Sequence, residues 1–154
     1  MKESINKTFN QFKIHTQYSI CEGAVKIDQL KNFCKKNKIK SLGISDTYNL
    51  SGALEFSENI SSVGTQPIIG SQVQFKFKNT YGLIPLIAKN YNGYKNIIEL
   101  SSKAYLENVN NDQSHCSIED LTKYSDGIIV LSGAINNLIG NMFNKGLFEA
   151  VSYT

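Results

Sequence analysis

Imidazole and thiol are scarce in this chain. Two histidines (His15, His115) and three cysteines (Cys21, Cys34, Cys116) stand among 154 residues. An odd number of thiols without CxxC spacing excludes a disulfide framework and a cysteine-rich zinc cluster, and predicts reduced thiols in a cytoplasmic protein. No GxxxxGK[ST] run is present, so Gly70 and Gly133 read as turn glycines rather than parts of a phosphate cradle. Internal repeats and low-complexity linkers are missing. The opening MKESINKTFNQF has no apolar run of the signal-peptide kind, and no later segment reaches membrane-spanning length. The expectation is a soluble chain with no membrane partner.

What is present suits a globular domain. Hydrophobic residues make up 41% and charged residues 19%, which excludes disorder by composition. A chain of this length can bury about 68–70% of its unfolded surface. The net charge of +3 and the pI near 8.7 are compatible with nucleic acid without arguing for it. Lys31, Lys35, Lys36, Lys38 and Lys40 read as a solvated helix face; contact with a DNA backbone through them would show as salt dependence.

Strands and helices alternate, the pattern of an α/β domain. Phe12–His15 reads as a short strand. Ile27, Leu30, Phe33 and Cys34 recur at helical spacing, which predicts a helix over Ile27–Asn37 with Cys34 in the core. A buried strand follows over Ser41–Ile44, then a loop over Asp46–Leu50, and a helix over Ala53–Ile60 ended by Gly64. Pro67–Ile69 and Val73–Phe77 read as two strands flanking Gly70. In the second, Val73, Phe75 and Phe77 share one face, and Gln74, Lys76 and Lys78 a wet one. Pro85 within Leu83–Ala88 predicts an edge position or a bulge. Tyr94, Ile97, Ile98, Ala104 and Tyr105 mark a long helix facing the core. Asn108–Ser114 reads as a polar loop, Ser117-x-x-Asp120 as a capping box, and Ile128–Leu131 as a buried strand. Gly146 marks a break before a new helix over Leu147–Tyr153.

Strand-end loops are where such folds carry their chemistry. His15, Asp46 and Gln72 all fall at or near strand ends, where convergent oxygen and imidazole donors could hold two or three metal ions for phosphoester hydrolysis. Ser19 and Ser132 lack a His/Asp partner in the sequence and read as turn-capping serines. Tyr18, Tyr48, Tyr81 and Tyr91 fall in predicted loops, as stacking platforms or as tyrosines rimming a core.

The segments FKIHTQYSICEGA, LGISDTYNLSGALEF, QPIIGSQV, LIPLIAKNYNGYKNIIELSSKAYLE and SIEDLTKYSDGIIVLSGAINNLIG together resemble the PHP (polymerase and histidinol phosphatase) domain that opens the bacterial DNA polymerase III alpha subunits. The likeness runs from Phe12 to the end, with residues 1–11 as an N-terminal extension and 12–154 as the domain. It implies the N-terminal part of a distorted, seven-stranded-like β/α barrel. Carried over position by position, it also implies an altered metal site. Lys13 stands where metal-binding relatives have the first histidine of His-x-His, and His15 keeps the second. Asp46 is kept, but Thr47 replaces the histidine after it, and Gln72 replaces a glutamate. Gly82 aligns near a further histidine position, and Ala134 replaces a cysteine or histidine.

Two retained ligands fall short of the three that a catalytic zinc requires, and the Lys13 ammonium would repel a metal. The resemblance therefore implies a structural domain with a degenerate, metal-free site, in a parent enzyme that extends DNA in chromosomal replication. No catalytic residue and no cofactor are expected in this stretch; magnesium is expected at a polymerase site downstream. Partners implied are the remainder of the polymerase chain, a proofreading exonuclease subunit, and DNA through the parent. A metal-dependent phosphoesterase or 3′–5′ exonuclease is the alternative, and a docking module for the proofreading subunit is another. A Lys13–Asp46 ion pair is expected where metal would sit.

Overall fold

The computed structural model describes residues 10–107 and 113–147. Its elements run α1 (Ile27–Asn37), β1 (Ser41–Thr47), α2 (Ala53–Ser61), β2 (Gln66–Phe77), β3 (Thr80–Ala88), α3 (Tyr91–Leu106), β4 (Cys116–Ser117), α4 (Ile118–Lys123), β5 (Ile128–Val130) and α5 (Leu138–Asn144). One mixed sheet has the order β1-β2-β3-β5, with β4 alongside β2. β1 lies parallel to β2, β2 and β3 form an antiparallel hairpin, and β5 runs antiparallel to β3. No helix of the described residues is long and apolar enough to cross a membrane.

Alternation along β2 sorts the two faces of the sheet. Ile69, Val73 and Phe75 point to the helices and join two apolar clusters. One holds Ile27, Leu30 and Cys34 of α1 with Ile44, Phe56 and Ile60; the other holds Leu86, Ile97, Leu100, Leu138 and Met142. Phe56 and Phe75 are wholly buried, each contributing about 1.5–3 kcal/mol by removal from water. Gly70, Gln72 and Gln74 point to the opposite face, where Gln72 faces Thr47 across the β1–β2 pair. That second face carries Thr47, Gln72 and Gln74 of the candidate site, whereas Asp46, paired with Ser71, projects to the helix face.

Helix α1 matches its predicted bounds, and Ser117 and Asp120 form the capping box of α4, each bonding the other's backbone N–H. Several expectations are corrected. Gly70 does not separate two strands; β2 is continuous through it. A β-carbon there would lie 2.5 Å from the Leu86 carbonyl oxygen and 2.6 Å from Ile87 Cδ1, so glycine is needed for close strand approach, not for a turn. Asp46 and Thr47 belong to β1 rather than to a loop.

Pro85 lies in an interior strand. Its carbonyl accepts from Leu131 N at 3.0 Å, so its missing N–H faces the β5 side, just past the end of that short strand, and no ladder bond is lost to β2. β5 is not buried: Ile129 and Val130 are 47% and 44% exposed on the sheet's outer strand. Ile98 and Tyr105 of α3 also point to solvent, while Leu100 takes a core position. Lys76 and Lys78 leave the core as expected, but Gln74 is buried.

Phe12–His15 forms no regular strand. The segment runs beside β1, where Gly43 N donates to Gln11 O and Ser45 N to Ile14 O, so three residues of one chain oppose two of the other. β4 and α5 escaped the sequence reading because two and seven residues are too few for periodicity to register. Gly146 is left-handed as a break requires, while the helix expected over 147–153 and most of the 108–114 loop lie outside the described residues.

Asp120 also bonds Lys103, at 2.8 Å, and Lys103 reaches Glu107 at 3.0 Å. Burial alone would raise the Asp120 carboxyl, but hydrogen bonds from Lys103 and Ser117 outweigh it and hold the group below its ordinary value of 3.8. The folded state thus binds fewer protons here than the unfolded chain, so the contribution is complete above about pH 4 and lost as pH falls through the depressed value. Ser117→Ala should lower stability by about 1 kcal/mol in urea denaturation at neutral pH. The difference between the two proteins should shrink on acidification below pH 4; a difference independent of pH would show that the Asp120 half of the cap contributes nothing.

Candidate functional site

The loop from Thr16 to Val25 folds over the carboxyl end of β1. A parallel bridge joins Thr16 to Val25, and Ser19 O accepts from both Glu22 N and Gly23 N. Gly23 is required by space: a β-carbon would lie 1.9 Å from the Thr16 carbonyl oxygen. Packed this tightly, the loop presents two hydroxyls and one backbone N–H to Asp46. Thr16 N donates to Asp46 Oδ1 at 2.6 Å, Ser19 Oγ to the same oxygen at 2.7 Å, and Thr16 Oγ1 to Oδ2 at 2.7 Å. Ser19 Oγ in turn accepts from Thr47 N at 3.1 Å. Thr16, Ser19 and Asp46 are at most 1% exposed.

A second set lies beside it. Thr47 Oγ1 donates to Glu22 Oε2 at 2.5 Å and accepts from Gln72 Nε2 at 3.1 Å. The same Gln72 nitrogen stands 3.4 Å from His15 Nε2. The Gln72 amide and the His15 ring therefore face each other at hydrogen-bonding range. His15 Nδ1 and Gln72 Oε1 are buried without partners. Tyr48, next along, has a left-handed backbone (φ 65°); its hydroxyl donates to Gln74 Oε1 at 2.5 Å, and burial raises the phenol's pKa, keeping it a donor. Gln74 Nε2 donates to Gln113 Oε1 at 2.7 Å. Tyr48, Gln74, Tyr105, Gln113 and Ser114 line a cleft of about 240 Å³. On the other flank Tyr18 donates to Glu55 Oε2 at 2.5 Å, and that carboxylate raises the phenol's pKa.

Of the residues singled out in the sequence, the structure joins His15, Thr47 and Gln72 in one hydrogen-bonded set and places Asp46 against the neighbouring loop. Lys13 forms no ion pair with Asp46; among the described residues the ion pairs all involve Lys103. The carboxylate is already matched by three uncharged donors, so it needs no cation. Ala134 is exposed in the loop between β5 and α5, its carbonyl accepting from Asn137 N. Gly82 packs against the backbone of Leu138. Tyr81 lies in β3 rather than a loop, edge-on to His115 with ring centroids 5.1 Å apart. Sequence reasoning left Thr16 and Glu22 without roles and gave Ser19 only a turn-capping one. A hydroxyl three residues from another, ahead of an acidic-Gly pair, was the available signal.

The donor set does not fit a hydrolytic metal cluster. Among the described residues no three His, Cys, Asp or Glu side chains are grouped to hold a metal ion. Asp46 accepts three hydrogen bonds from the neighbouring loop, and Gln72 offers an uncharged amide where a ligating carboxylate would bring negative charge. Catalytic zinc needs three protein ligands and an open position.

Comparison with known proteins gives a consistent picture. A family profile described as the PHP domain matches residues 11–152. DNA polymerase III subunit alpha of Borreliella burgdorferi is 34% identical over 95% of this chain, and that of Caulobacter vibrioides 31% identical over 95%. The Haemophilus influenzae subunit is 34% identical over 89% of the chain. The matched region is 14%, 14% and 12% of those proteins, so the chain spans about a seventh of their length.

Asp46→Ala should strand three buried donors and lower stability by about 3 kcal/mol in urea denaturation, whereas Lys13→Ala should change it by less than about 0.5 kcal/mol. Equal losses from the two substitutions would restore the ion-pair account.

Proposed function

Because this chain belongs to the PHP domain family, we propose that it is the PHP domain of a DNA polymerase III alpha subunit, serving template-directed DNA synthesis in chromosomal replication in the cytoplasm. Within that enzyme its role is structural, around a degenerate site that binds no metal and catalyses no reaction. The observation carrying this reading is the Asp46 carboxylate, which accepts three hydrogen bonds from Thr16 and Ser19, two at Oδ1 and one at Oδ2. A carboxylate used as a loop staple is committed to that loop, and a neutral amide attracts a cation far less than a carboxylate does. Polymerase carboxylates and their magnesium then belong to other parts of the polypeptide, and the domain's first partner is that remaining chain. The similarity to much longer polymerase subunits supports this arrangement.

What the site residues do here is positional. Asp46 fixes the Thr16–Val25 loop over β1, and Thr47 links Glu22 of that loop to Gln72 of β2. The loop and two strands become one rigid unit on which neighbouring domains can bear. Contact with a proofreading exonuclease subunit is a further part of the reading and would use the outer surface rather than this interior.

A metal-dependent phosphoesterase is the competing class. Elemental analysis of purified protein should find zinc and manganese well below one equivalent, with no hydrolysis of a generic phosphoester above a His15→Ala control. Stoichiometric metal together with hydrolysis abolished by His15→Ala would overturn the structural assignment.

A further inference from the structure

We propose that the tip of the β2–β3 hairpin, with Lys76, Lys78 and Lys145, is a contact surface for the phosphodiester backbone of DNA. The choice of DNA among polyanions rests on the polymerase reading above; the charge and geometry do not.

All 16 cationic side chains of this protein are lysines, and they are distributed unevenly. Between Glu58 and Glu99 there are four lysines and no acidic residue, and between Asp126 and Glu149 there is one lysine and again no acid. The fold brings these two acid-free stretches together. Lys76 and Lys78 flank the end of β2, and Lys145, just after α5, donates to Thr80 Oγ1 at 3.1 Å and reaches Asn79 O at 3.5 Å. Three ammonium groups therefore surround one hairpin turn.

Among the described residues none of the three meets a carboxylate. The ion pairs of the described residues engage Lys103 alone, and the partners of Lys145 are uncharged oxygens. Aromatic rings hold two of them: Lys76 Nζ lies 5.2 Å from the Tyr81 ring centroid and Lys78 Nζ 5.5 Å from that of Phe77. Cation–π contacts at these distances restrain a side chain without removing its charge. Lys78 sits at φ 51°, where asparagine or glycine is the cheaper choice.

Phosphate is the group that such compact, unpaired ammoniums suit, and a row of them suits a chain of phosphates. Lys76 shares its sheet face with Gln72 and Gln74, about 13 Å from Gln72 at strand spacing. A strand of nucleic acid lying on the hairpin would thus run along the face that carries Gln72 and Gln74.

Fluorescence anisotropy of labelled single-stranded and duplex DNA, titrated with the full chain at several KCl concentrations, tests this. Each neutralised phosphate adds about 0.7 to the slope of log K against log salt for single strands and about 0.9 for duplex. The variant Lys76→Gln/Lys78→Asn/Lys145→Gln should flatten the single-strand slope by about 2 and weaken binding alike for every sequence. Asparagine is used at position 78 because it tolerates the left-handed backbone. The single variant Lys145→Gln should flatten the slope by about 0.7 and serves if the triple variant melts early. Lys31→Gln/Lys35→Gln/Lys36→Gln on α1 should leave the slope unchanged.

An unaltered slope in the hairpin variants, or flattening by the α1 variant alone, would overturn the proposal. So would the absence of DNA binding at low salt. Equal binding of anionic vesicles or heparin fragments, with the same lysine dependence, would overturn the assignment to DNA. Metal-dependent hydrolysis, which would overturn the structural reading of the domain, leaves this measurement unmoved, so the two failures are distinguishable.

Discussion

A single buried carboxylate organises the functional end of this domain. Asp46 brings a carboxyl group to a position at most 1% exposed, which is unfavourable unless donors come with it. The chain supplies three of them from Thr16 and Ser19, contributed from about thirty residues upstream. The loop's path follows from this: its backbone must bring one N–H and two hydroxyls within hydrogen-bonding reach of one side chain. The compact turn at Ser19, the bridge from Thr16 to Val25, and the glycine at position 23 are the means by which it does so. The arrangement also explains why Asp46 takes no ion pair with Lys13. An ammonium would compete with three short, directional bonds and gain little in exchange.

The neighbouring set is different in kind. His15, Thr47, Gln72 and Glu22 form a chain of hydrogen bonds in which two buried atoms, His15 Nδ1 and Gln72 Oε1, are left over. Orphaned buried polar atoms are destabilising. The amide of Gln72 has the outline of a carboxylate but offers hydrogen where a carboxylate offers only lone pairs.

How much of this was legible beforehand varied with the kind of signal. Helix α1 could be read to the residue because its apolar spacing, its acidic first turn and its stop at Asn37 agree. The capping box at Ser117 and Asp120 was equally plain. The family and the site positions came from motifs rather than periodicity, and the fold then placed His15, Thr47 and Gln72 together. Gly70 and Pro85 misled for a common reason: each is a breaker by intrinsic preference, yet tertiary context gave it a task. Gly70 admits a neighbouring strand, and Pro85 turns its blank side past a short one. Ile129 and Val130 looked buried because apolar runs in strands usually are, and composition says nothing of which strand lies outermost. The Asp46 staple could not be foreseen in detail, since it depends on a loop shape set by contacts thirty residues apart.

The three thiols differ sharply in circumstance. Cys34 and Cys116 are buried, and burial pushes the Cys116 thiol up to about 12 while raising Cys34 as well. Alkylation proceeds through the thiolate, so both resist it in the folded state. Cys21 is exposed, and it lies in the very loop that Asp46 fastens down. A maleimide dye would therefore attach at one position without any engineering of the sequence. The label would report optically on whether that loop is closed over β1 or lifted from it.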